Sequence, residues 1–457
     1  MTDGTITQER PARGELLTLD VESLAYGGKG VARRNGYVVF VAGALPGDRV
    51  TAEVTKAKRG YAEASTREIV RESPDRVPPR CDHGGEPCPG APWQGLAYEE
   101  QLRHKQTQVE DSLVRLGRLQ GFELEPIEPA VERWRYRNKL EYSFGERDGE
   151  LVLGFHARGR WDLIVDAEDC QLASERNNAR RNELRDWARS AGLPAFDPRT
   201  GQGVLRNLVI REGRRTGQLQ SRLVTSPAEI PRPPVDLHTI VDGPGSGTDG
   251  PTGAIGAEYL EEELSGLRFR ISHRAFFQTN TEMAERLYGI AASMAGLTGS
   301  ERVFDLFCGI GTLGLTLTRQ AGEVWGIEIV PDAIVDAEEN ARLNGIENAR
   351  FRTGDARKEI RPLLEEAGRP DVVVVDPPRA GLSKKIVRRL IECEAPRIVY
   401  VSCNPTTLAP NAAQLAEAGY RLQRVRPVDM FPQTPHIECV ALLEKVGPSA
   451  PVGSSAS

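Results

Sequence analysis

Several features that would assign a chain to a special class are missing from these 457 residues. No run approaches the roughly 20 apolar residues that a membrane helix requires, and no charged-then-apolar secretory segment opens the sequence. The net charge of −6 gives no overall basic field that would attract nucleic acid. Seven cysteines, an odd number spread over a long chain, do not fit a disulfide framework. We therefore expect a cytoplasmic protein with reduced thiols, no membrane contact, and at most local basic surfaces for nucleic acid.

The composition itself, with 39% hydrophobic and 27% charged residues, is that of a globular protein long enough for two or three domains. Changes of pattern along the chain predict five segments. They are a flexible N-terminus (1–13), a small barrel (14–73), a mixed α+β central domain (74–270), an α/β domain (271–446) and a disordered tail (447–457). Within the central domain, the stretch near 227–256 is rich in proline and glycine, which is typical of a linker or surface insertion.

The barrel is predicted from five short alternating strands with glycine turns between about residues 15 and 72. Small barrels of this OB-like kind present a face and loops to oligonucleotides. Lys56, Lys58 and Arg59 would supply phosphate contacts, and Tyr61 a stacking face. A barrel without a ligand is the alternative.

The central domain has a weaker pattern. An amphipathic helix is predicted over 98–119, and strands near 136–144, 151–155 and 204–210. Arginine and aromatic residues interleave over 133–139, which indicates either contacts to RNA phosphates and bases or a solvated strand face.

The last part of the chain alternates strands and helices, which predicts a parallel sheet covered on both faces. The strands are expected at 302–306, 323–328, 349–353, 371–376 and 397–402, with a helix at 331–344 and an antiparallel edge from 421–428 and 438–445. This is the architecture of a Rossmann-like class I methyltransferase, in which ligands bind beyond the carboxyl ends of the strands.

Residues that could bind a ligand or take part in catalysis follow these strand ends. The glycine-containing loop 305–312, with Glu328 about 20 positions later, is the pattern of an adenosyl or dinucleotide site. A nicotinamide enzyme would leave Asp376 and Cys403 without a role. A thiolate at Cys403 would add to C6 of uracil and activate C5 for methylation, and Glu438 would then remove the C5 proton. Three further cysteines are predicted to be packed thiols: Cys308, Cys393 and Cys439.

These segments together resemble one family. The quoted motifs are AYGGKG from residue 25, ALPGD from 44, FFQTN from 276, DLFCGIGTLGL from 305, DPPRAGL from 376, SCNP from 402 and HIECV from 436. They resemble the TRAM-containing uracil-C5 RNA methyltransferases that form 5-methyluridine, of the large-subunit rRNA type.

The resemblance implies S-adenosylmethionine as cofactor, Cys403 as nucleophile and Glu438 as proton acceptor. It implies six residues around the cofactor: Gln278, Phe307, Thr312, Glu328, Asp355 and Asp376. Thr312 stands where several relatives carry asparagine. Arg379 is expected either to touch RNA or to anchor its loop. The expected partner is structured RNA, with rRNA favoured over tRNA, and no obligate protein partner is implied.

Many TRAM-containing relatives also hold an iron-sulfur cluster on four cysteines. Cys81, Cys88 and Cys170 match three of those places, but Ala91 stands where the remaining cysteine is expected. Either another ligand such as His83 completes the site, or the cluster has been lost.

Other functions stay open at this point. The first alternative is a tRNA uracil-C5 methyltransferase. A cytosine-C5 enzyme would also use a thiolate, whereas an amino-methyltransferase would need none. A non-catalytic RNA-binding protein would not require Cys403, Glu438 and Asp376 together.

Overall fold

The computed structural model describes residues 10–81, 83, 87–241, 250–254 and 257–446, and divides into two compact units. The first unit comprises the described parts of Met1–Arg80, Gly90–Glu110 and Phe431–His436. The second comprises those of Cys81–Pro89, Asp111–Met430 and Ile437–Ser457. The predicted tail 447–457 and most of the predicted flexible segment 1–13 lie outside the described residues. The domain boundaries at 73 and 270 stay predictions.

The first unit contains a closed five-stranded barrel, which confirms the predicted small barrel. Its strands are β1 (Leu16–Leu24), β2 (Gly30–Arg34), β3 (Tyr37–Ala42), β4 (Arg49–Ala57) and β5 (Tyr61–Arg71), in the spatial order β1-β2-β3-β5-β4. Alternate side chains point inward, so that Val39, Val41 and Val50 are fully buried. Asp48 is also fully buried, and it accepts hydrogen bonds from the Arg76 guanidinium at 2.8 and 2.7 Å.

The helix predicted over 98–119 ends earlier than expected. Helix α1 (Tyr98–Asp111) is followed by a π-helical turn, Ser112–Leu116. The backbone N–H of Gly117 donates to the Ser112 carbonyl, and a Cβ at Gly117 would lie 2.7 Å from the Leu113 carbonyl oxygen. The α-helical pattern therefore changes to a π-helical turn after Asp111, and Gly117 caps that turn; hydrophobic periodicity alone does not reveal this change.

The second unit contains a seven-stranded sheet in the order β13-β12-β11-β10-β7-β8-β9. Its strands are β7 (Lys139–Arg147), β8 (Glu150–Ala157), β9 (Arg160–Asp166), β10 (Leu205–Glu212), β11 (Leu219–Thr225), β12 (His238–Val241) and β13 (Gly250–Ala254). Helix α2 (Glu175–Ser190) packs on it. The predicted linker or surface insertion near 227–256 contains two strands, β12 and β13, which extend this sheet on the side of β11. Residues 242–249 and 255–256 lie outside the described residues.

The second unit also contains the predicted class I sheet, with eight strands in the order β18-β17-β16-β19-β20-β22-β21-β6. They are β6 (Glu123–Leu124), β16 (Arg302–Leu306), β17 (Glu323–Glu328), β18 (Ala349–Thr353), β19 (Val372–Val375), β20 (Arg397–Ser402), β21 (Tyr420–Val428) and β22 (Glu438–Lys445). Strands β16 to β20 are parallel, and β22 runs antiparallel to both β20 and β21. The predicted class I fold is confirmed; β6, which pairs with β21, was not predicted.

A two-stranded ribbon and six helices complete the second unit. They are β14 (Tyr259–Leu264), β15 (Leu267–Ser272), α3 (Thr281–Ala295), α4 (Thr312–Leu317), α5 (Pro331–Leu343), α6 (Ala356–Ala367), α7 (Lys384–Cys393) and α8 (Pro405–Glu417). Helix α5 begins at a proline, as predicted. Among the described residues, no helix combines the length and apolar character needed to cross a bilayer.

Candidate active site

Three of the predicted cofactor residues lie side by side at the carboxyl edge of the parallel strands. The register of β17, β16 and β19 brings Glu328, Phe307 and Asp376 to neighbouring positions. The Phe307 N–H donates to the Ile327 carbonyl at 2.9 Å, and the Asp376 N–H donates to the Leu306 carbonyl at 3.4 Å. The sheet itself therefore assembles this part of the site.

Cys403 and Glu438 lie opposite each other across β20 and β22. Ser402 pairs with Cys439 in antiparallel register, so Cys403 and Glu438 occupy the next pair of positions. Burial, and then the Glu438 and Asp376 carboxyls, raise the pKa of the Cys403 thiol to about 11. Burial, followed by Asp376, raises the pKa of Glu438 well above its usual value. Burial and the neighbouring carboxyls therefore favour the protonated form of both groups in this arrangement.

Arg379 opposes both shifts. Its positive charge lowers the pKa of Cys403 and that of Glu438. Its backbone carbonyl accepts hydrogen bonds from the Asn404 amide at 3.2 Å and the Thr407 hydroxyl at 3.4 Å. The backbone of Arg379 thus ties the loop after β19 to the start of α8, while its guanidinium acts electrostatically on the thiol and the carboxyl.

The same loop is fixed by Asn411 of α8. The Asn411 carbonyl oxygen accepts from the Leu382 N–H at 2.8 Å and from the Tyr400 hydroxyl at 3.0 Å, and its amide donates to the Leu382 carbonyl at 3.0 Å. Gly381 has φ +70°, and a Cβ there would lie 2.9 Å from the Asn411 oxygen. Glycine is therefore required where the loop turns against α8.

Two carboxyls, that of the buried Asp305 and that of the half-buried Asp376, stand at the centre of the strand edge. Burial, and then the charge of Asp376, raise the pKa of Asp305 to about 7, and burial raises that of Asp376 to about 7. Asp305 accepts the Gly314 N–H at 2.9 Å, and a Cβ on Gly314 would lie 2.6 Å from the same carboxylate oxygen. Carboxyls poised in this way favour a positively charged ligand, because such a ligand stabilises their ionised form.

The glycine loop has the conformation that a close backbone approach requires. Phe307 has φ +67°, and Gly309 and Gly311 have φ +54° and +82°. The Gly309 N–H donates to the Glu328 carboxylate at 3.2 Å, which holds the loop against the end of β17. The small residues leave the backbone accessible to a ligand, as predicted for an adenosyl site.

Gln278 and Thr312 are fixed by neighbours. Gln278 is buried, and its carbonyl accepts the Asn138 amide at 2.9 Å. The Thr312 hydroxyl lies 3.1 Å from the Tyr288 hydroxyl. Burial, and then Asp376, raise the pKa of Tyr288, which shows that Tyr288 belongs to the same cluster.

Asp355 is near Glu328 but is engaged elsewhere. It caps α6 by accepting the Arg357 N–H at 2.9 Å, and the Arg357 guanidinium holds the pKa of Asp355 below its usual value. The Gly354 N–H donates to the Glu328 carbonyl at 2.8 Å. Asp355 therefore sits one residue beyond the β17–β18 edge, as a helix cap.

The residues present do not fit the four-cysteine iron-sulfur cluster that the resemblance implies. The donor atoms of Cys81, His83 and Cys88 all lie within 4.8 Å of one another. Cys170 is buried and its thiol interacts electrostatically with those of Cys81 and Cys88. Ala91 is fully buried and has no ligand atom. A cluster held by four thiolates is therefore not formed by these residues.

The stretch 133–139 is partly buried, so it is not a fully solvated strand face, and its contact with RNA stays a prediction. Tyr136 is fully buried and Asn138 is 2% exposed. The Arg135 guanidinium binds Asp169 at 2.7 Å.

The barrel residues predicted to contact RNA are exposed. Lys56, Lys58 and Arg59 lie on the surface, and Lys56 is 3.5 Å from Glu63. Tyr61 is 36% exposed and contacts Phe40 edge to face, with ring centroids 5.6 Å apart. Their use in RNA binding stays a prediction.

Similarity to known proteins agrees with this geometry. The family model for tRNA (Uracil-5-)-methyltransferase matches residues 253–446, and the TRAM domain model matches residues 11–66. An uncharacterized RNA methyltransferase of Halalkalibacterium halodurans is 39% identical, over 96% of this chain and 99% of its own length. The chain belongs to the RNA (uracil-5-)-methyltransferase family. A second uncharacterized RNA methyltransferase, from Caldanaerobacter subterraneus, is 38% identical over 95% of this chain and 100% of its own length.

A solved structure extends the likeness to the fold. The Pyrococcus abyssi tRNA (uracil-54, C5)-methyltransferase, in complex with S-adenosyl-L-homocysteine, has a TM-score of 0.76 and 28% identity. The match covers 93% of this chain and 99% of that one. The predicted enzyme class, an S-adenosylmethionine-dependent RNA (uracil-C5) methyltransferase, is confirmed by family membership.

Four residues that position the site were not predicted. Tyr288 contacts Thr312, and Asn138 fixes the carbonyl of Gln278. Asn411 fixes the loop after β19, and Asn340 donates to the Ile310 carbonyl of the glycine loop at 3.2 Å. For Asn340 and Asn411 a signal exists, since each is a lone amide on the apolar face of a helix.

Proposed function

We propose that the protein transfers a methyl group from S-adenosylmethionine to C5 of one uridine in a structured RNA, most favourably 23S rRNA, in the cytoplasm. The observation that carries this proposal is the opposition of Cys403 and Glu438 across β20 and β22, beside Asp376. A thiol, a buried carboxyl and an adenosyl-type loop at one sheet edge are the groups that covalent pyrimidine methylation requires.

The residues at the strand ends fit the cofactor. Phe307 and the glycine loop would accommodate the adenosine moiety, and Glu328, at the end of β17, would accept the ribose hydroxyls. Gln278, Thr312, Asp355 and Asp376 would complete the cofactor site, for which Asp355 would have to leave its bond to Arg357. S-adenosylmethionine supplies an electrophilic methyl group on a positively charged sulfonium, and the elevated pKa values of Asp305 and Asp376 suit such a charge.

The chain's own groups then act on the uracil ring. The Cys403 thiolate would form a bond from Sγ to C6, and the electron pair of the C5–C6 double bond would move to C5, which would take the methyl group. The electron pair of the broken S–CH3 bond would stay on sulfur, with S-adenosylhomocysteine as the leaving group. Glu438 removes the proton that remains on C5, and the returning electron pair breaks the Sγ–C6 bond. The ring regains its double bond, Cys403 is restored, and the carboxyl of Glu438 carries the proton.

Both groups must lose a proton before they can act in this way. The structure holds the pKa of Cys403 at about 11, and Arg379 is the positive charge on the chain that lowers it. We assign Arg379 the role of favouring the thiolate of Cys403 and the ionised form of Glu438. Extrusion of the uridine from its stack would bring the ring to Cys403.

The identity of the RNA is the finer part of the proposal. The exposed barrel residues, including Tyr61, suit single-stranded segments of a large folded RNA. A tRNA is the second candidate, because the matching Pyrococcus abyssi protein is named for tRNA uracil-54.

The proposal is tested by incubating the full chain with labelled S-adenosylmethionine and transcripts of 23S rRNA and tRNA, followed by nucleoside analysis. We expect 5-methyluridine, formed on rRNA. Cys403→Ala should abolish it. Glu438→Gln should form a methylated protein–RNA adduct that persists under denaturing conditions, because the C5 proton is not removed. Cys393→Ala, which removes a thiol buried in α7, is the matched control and should retain activity.

Other outcomes would redirect the assignment. Methylation of tRNA alone would select the second candidate. Formation of 5-methylcytidine would move the protein to the cytosine-C5 class. Methyl transfer that survives Cys403→Ala would contradict the thiolate mechanism.

A further inference from the structure

A group of metal-ligand side chains lies apart from Cys403 and the carboxyl edge. Cys81, His83 and Cys88 place one sulfur, one imidazole nitrogen and a second sulfur within 4.8 Å of one another. Cys170, after β9, supplies a third thiol that interacts electrostatically with both other cysteines. Two separated segments of the second unit thus contribute to this region: one holds the close set Cys81, His83 and Cys88, and the other holds Cys170 as a neighbouring thiol.

The spacing of the donors distinguishes a single ion from a cluster. Bonds of 2.3 Å to sulfur and 2.0–2.1 Å to nitrogen in a tetrahedron place neighbouring donor atoms about 3.8 Å apart. A four-iron cluster binds each cysteine through a different iron atom, so its thiolates lie much farther apart. The mutual separation of no more than 4.8 Å among the Cys81, His83 and Cys88 donors suits one ion. Ala91 provides no fourth thiolate for a cluster.

The surroundings of Cys170 hold it in place. The Cys170 N–H donates to the Asn178 side-chain oxygen at 3.1 Å, and the Asn178 amide donates to the Cys170 carbonyl at 3.1 Å. The Arg135 guanidinium donates to the Cys170 carbonyl at 3.2 Å. Backbone N–H groups of Leu172 and Ala173 approach the Cys170 thiol. Hydrogen bonds of this kind orient and stabilise a metal-bound thiolate.

The local charge also suits a metal-thiolate centre. Arg137 lies near Cys170 and Cys88, and its buried Nε has no hydrogen-bond partner among the described residues. Three thiolates and a neutral imidazole around a divalent ion carry a net charge of −1, which the Arg137 guanidinium would balance.

We propose that Cys81, His83, Cys88 and Cys170 bind a single zinc ion as a Cys3His site, in place of an iron-sulfur cluster. Zinc prefers this tetrahedral set of thiolates and imidazole, and a site with all four positions taken by protein is structural. The ion would join the segment before Pro89 to the connection between β9 and α2. This role is independent of the proposed methylation, because no atom of the site belongs to the carboxyl edge.

The test is elemental and sulfide analysis of the full chain, purified without oxygen from cells supplied with both zinc and iron. We expect about one zinc per chain and no acid-labile sulfide. Iron accompanied by sulfide, with the visible absorption of a cluster, would overturn the proposal. A protein that contains no stoichiometric metal would also overturn the proposal, and the thiols would then be remnants of a lost metal site.

Cobalt exchange provides a spectroscopic measurement besides activity. Cobalt bound to three thiolates and an imidazole should show intense tetrahedral visible bands and sulfur-to-cobalt charge transfer. His83→Ala should weaken these bands, and His83→Cys should keep them in altered form. Cys393→Ser should leave them unchanged. If a variant fails to fold, a thiol reagent added to the native chain should still release about one equivalent of zinc; release of none would contradict the site.

Discussion

The ionisation of Cys403 yields a quantitative prediction. With a pKa of about 11, the thiol is ionised in roughly one molecule in 3,000 at pH 7.5. An ordinary cysteine with a pKa of about 8.5 is ionised in roughly one in ten at the same pH. Alkylation of Cys403 in the protein alone should therefore be roughly 300-fold slower at pH 7.5 than that of an unperturbed thiol, because only the thiolate reacts.

The assay is iodoacetamide alkylation of the Cys403 peptide between pH 7 and 10.5, quantified by mass spectrometry, with circular dichroism as the check on folding. The rate should rise about tenfold per pH unit and show no plateau below about pH 10.5. Arg379→Gln should slow the reaction further, because the charge that lowers the pKa of Cys403 is lost. Arg379→Lys keeps that charge and is the control. A plateau below pH 9.5, or an Arg379→Gln rate equal to that of the native protein, would refute the electrostatic account.

Three further predictions concern stability, each measured by urea unfolding. Asn411→Ala leaves two backbone groups and a hydroxyl without their partner, and should cost about 3 kcal/mol; a loss below about 1 kcal/mol would show that water replaces the amide. Gly314→Ala places a Cβ 2.6 Å from the Asp305 carboxylate and should cost about 2 kcal/mol, whereas Gly289→Ala, with nothing within 4 Å, should cost nothing. Burial raises the pKa of Asp48, but its hydrogen bonds, first among them that from Arg76, lower the pKa by more. The pKa of Asp48 is therefore below its usual value. Its folded-state pKa is therefore below the unfolded value of about 3.9, so its contribution is present above pH 4 and disappears as the pH falls through the folded value. Asp48→Asn should lower the free energy of unfolding by about 3 kcal/mol at pH 7, and should reduce the loss of stability as the pH falls below 4. A variant whose stability depends on pH as that of the native protein does would contradict this role of Asp48.

Much of the fold followed from sequence because its signals are local. Continuous apolar runs such as Val372–Val375 mark strands buried on both faces, and Pro331 marks the first turn of α5. The strands β12 and β13 were not predicted because proline and glycine dominate the sequence around them.

The residues of the candidate site that adjoin strand ends were predictable from the sequence, whereas those that position them were not. Asp376, Cys403 and Glu438 each adjoin a strand end, so their convergence follows from the order of the sheet. The pairing of Asn138 with Gln278, 140 positions away, depends on tertiary packing and could not be read from spacing. The charges that act on the pKa of Cys403 come from the start of β22 and from the loop after β19, and their effect became apparent only in the structure.

The most direct test of the central claim is capture of the covalent step. The native protein is incubated with S-adenosylmethionine and a target transcript carrying 5-fluorouridine, whose fluorine Glu438 cannot remove as it would a proton. The account predicts a protein–RNA adduct that resists denaturation, with the modified nucleotide attached to the Sγ of Cys403 by peptide mass spectrometry. An adduct on another residue, or continued turnover without an adduct, would contradict Cys403 as the nucleophile.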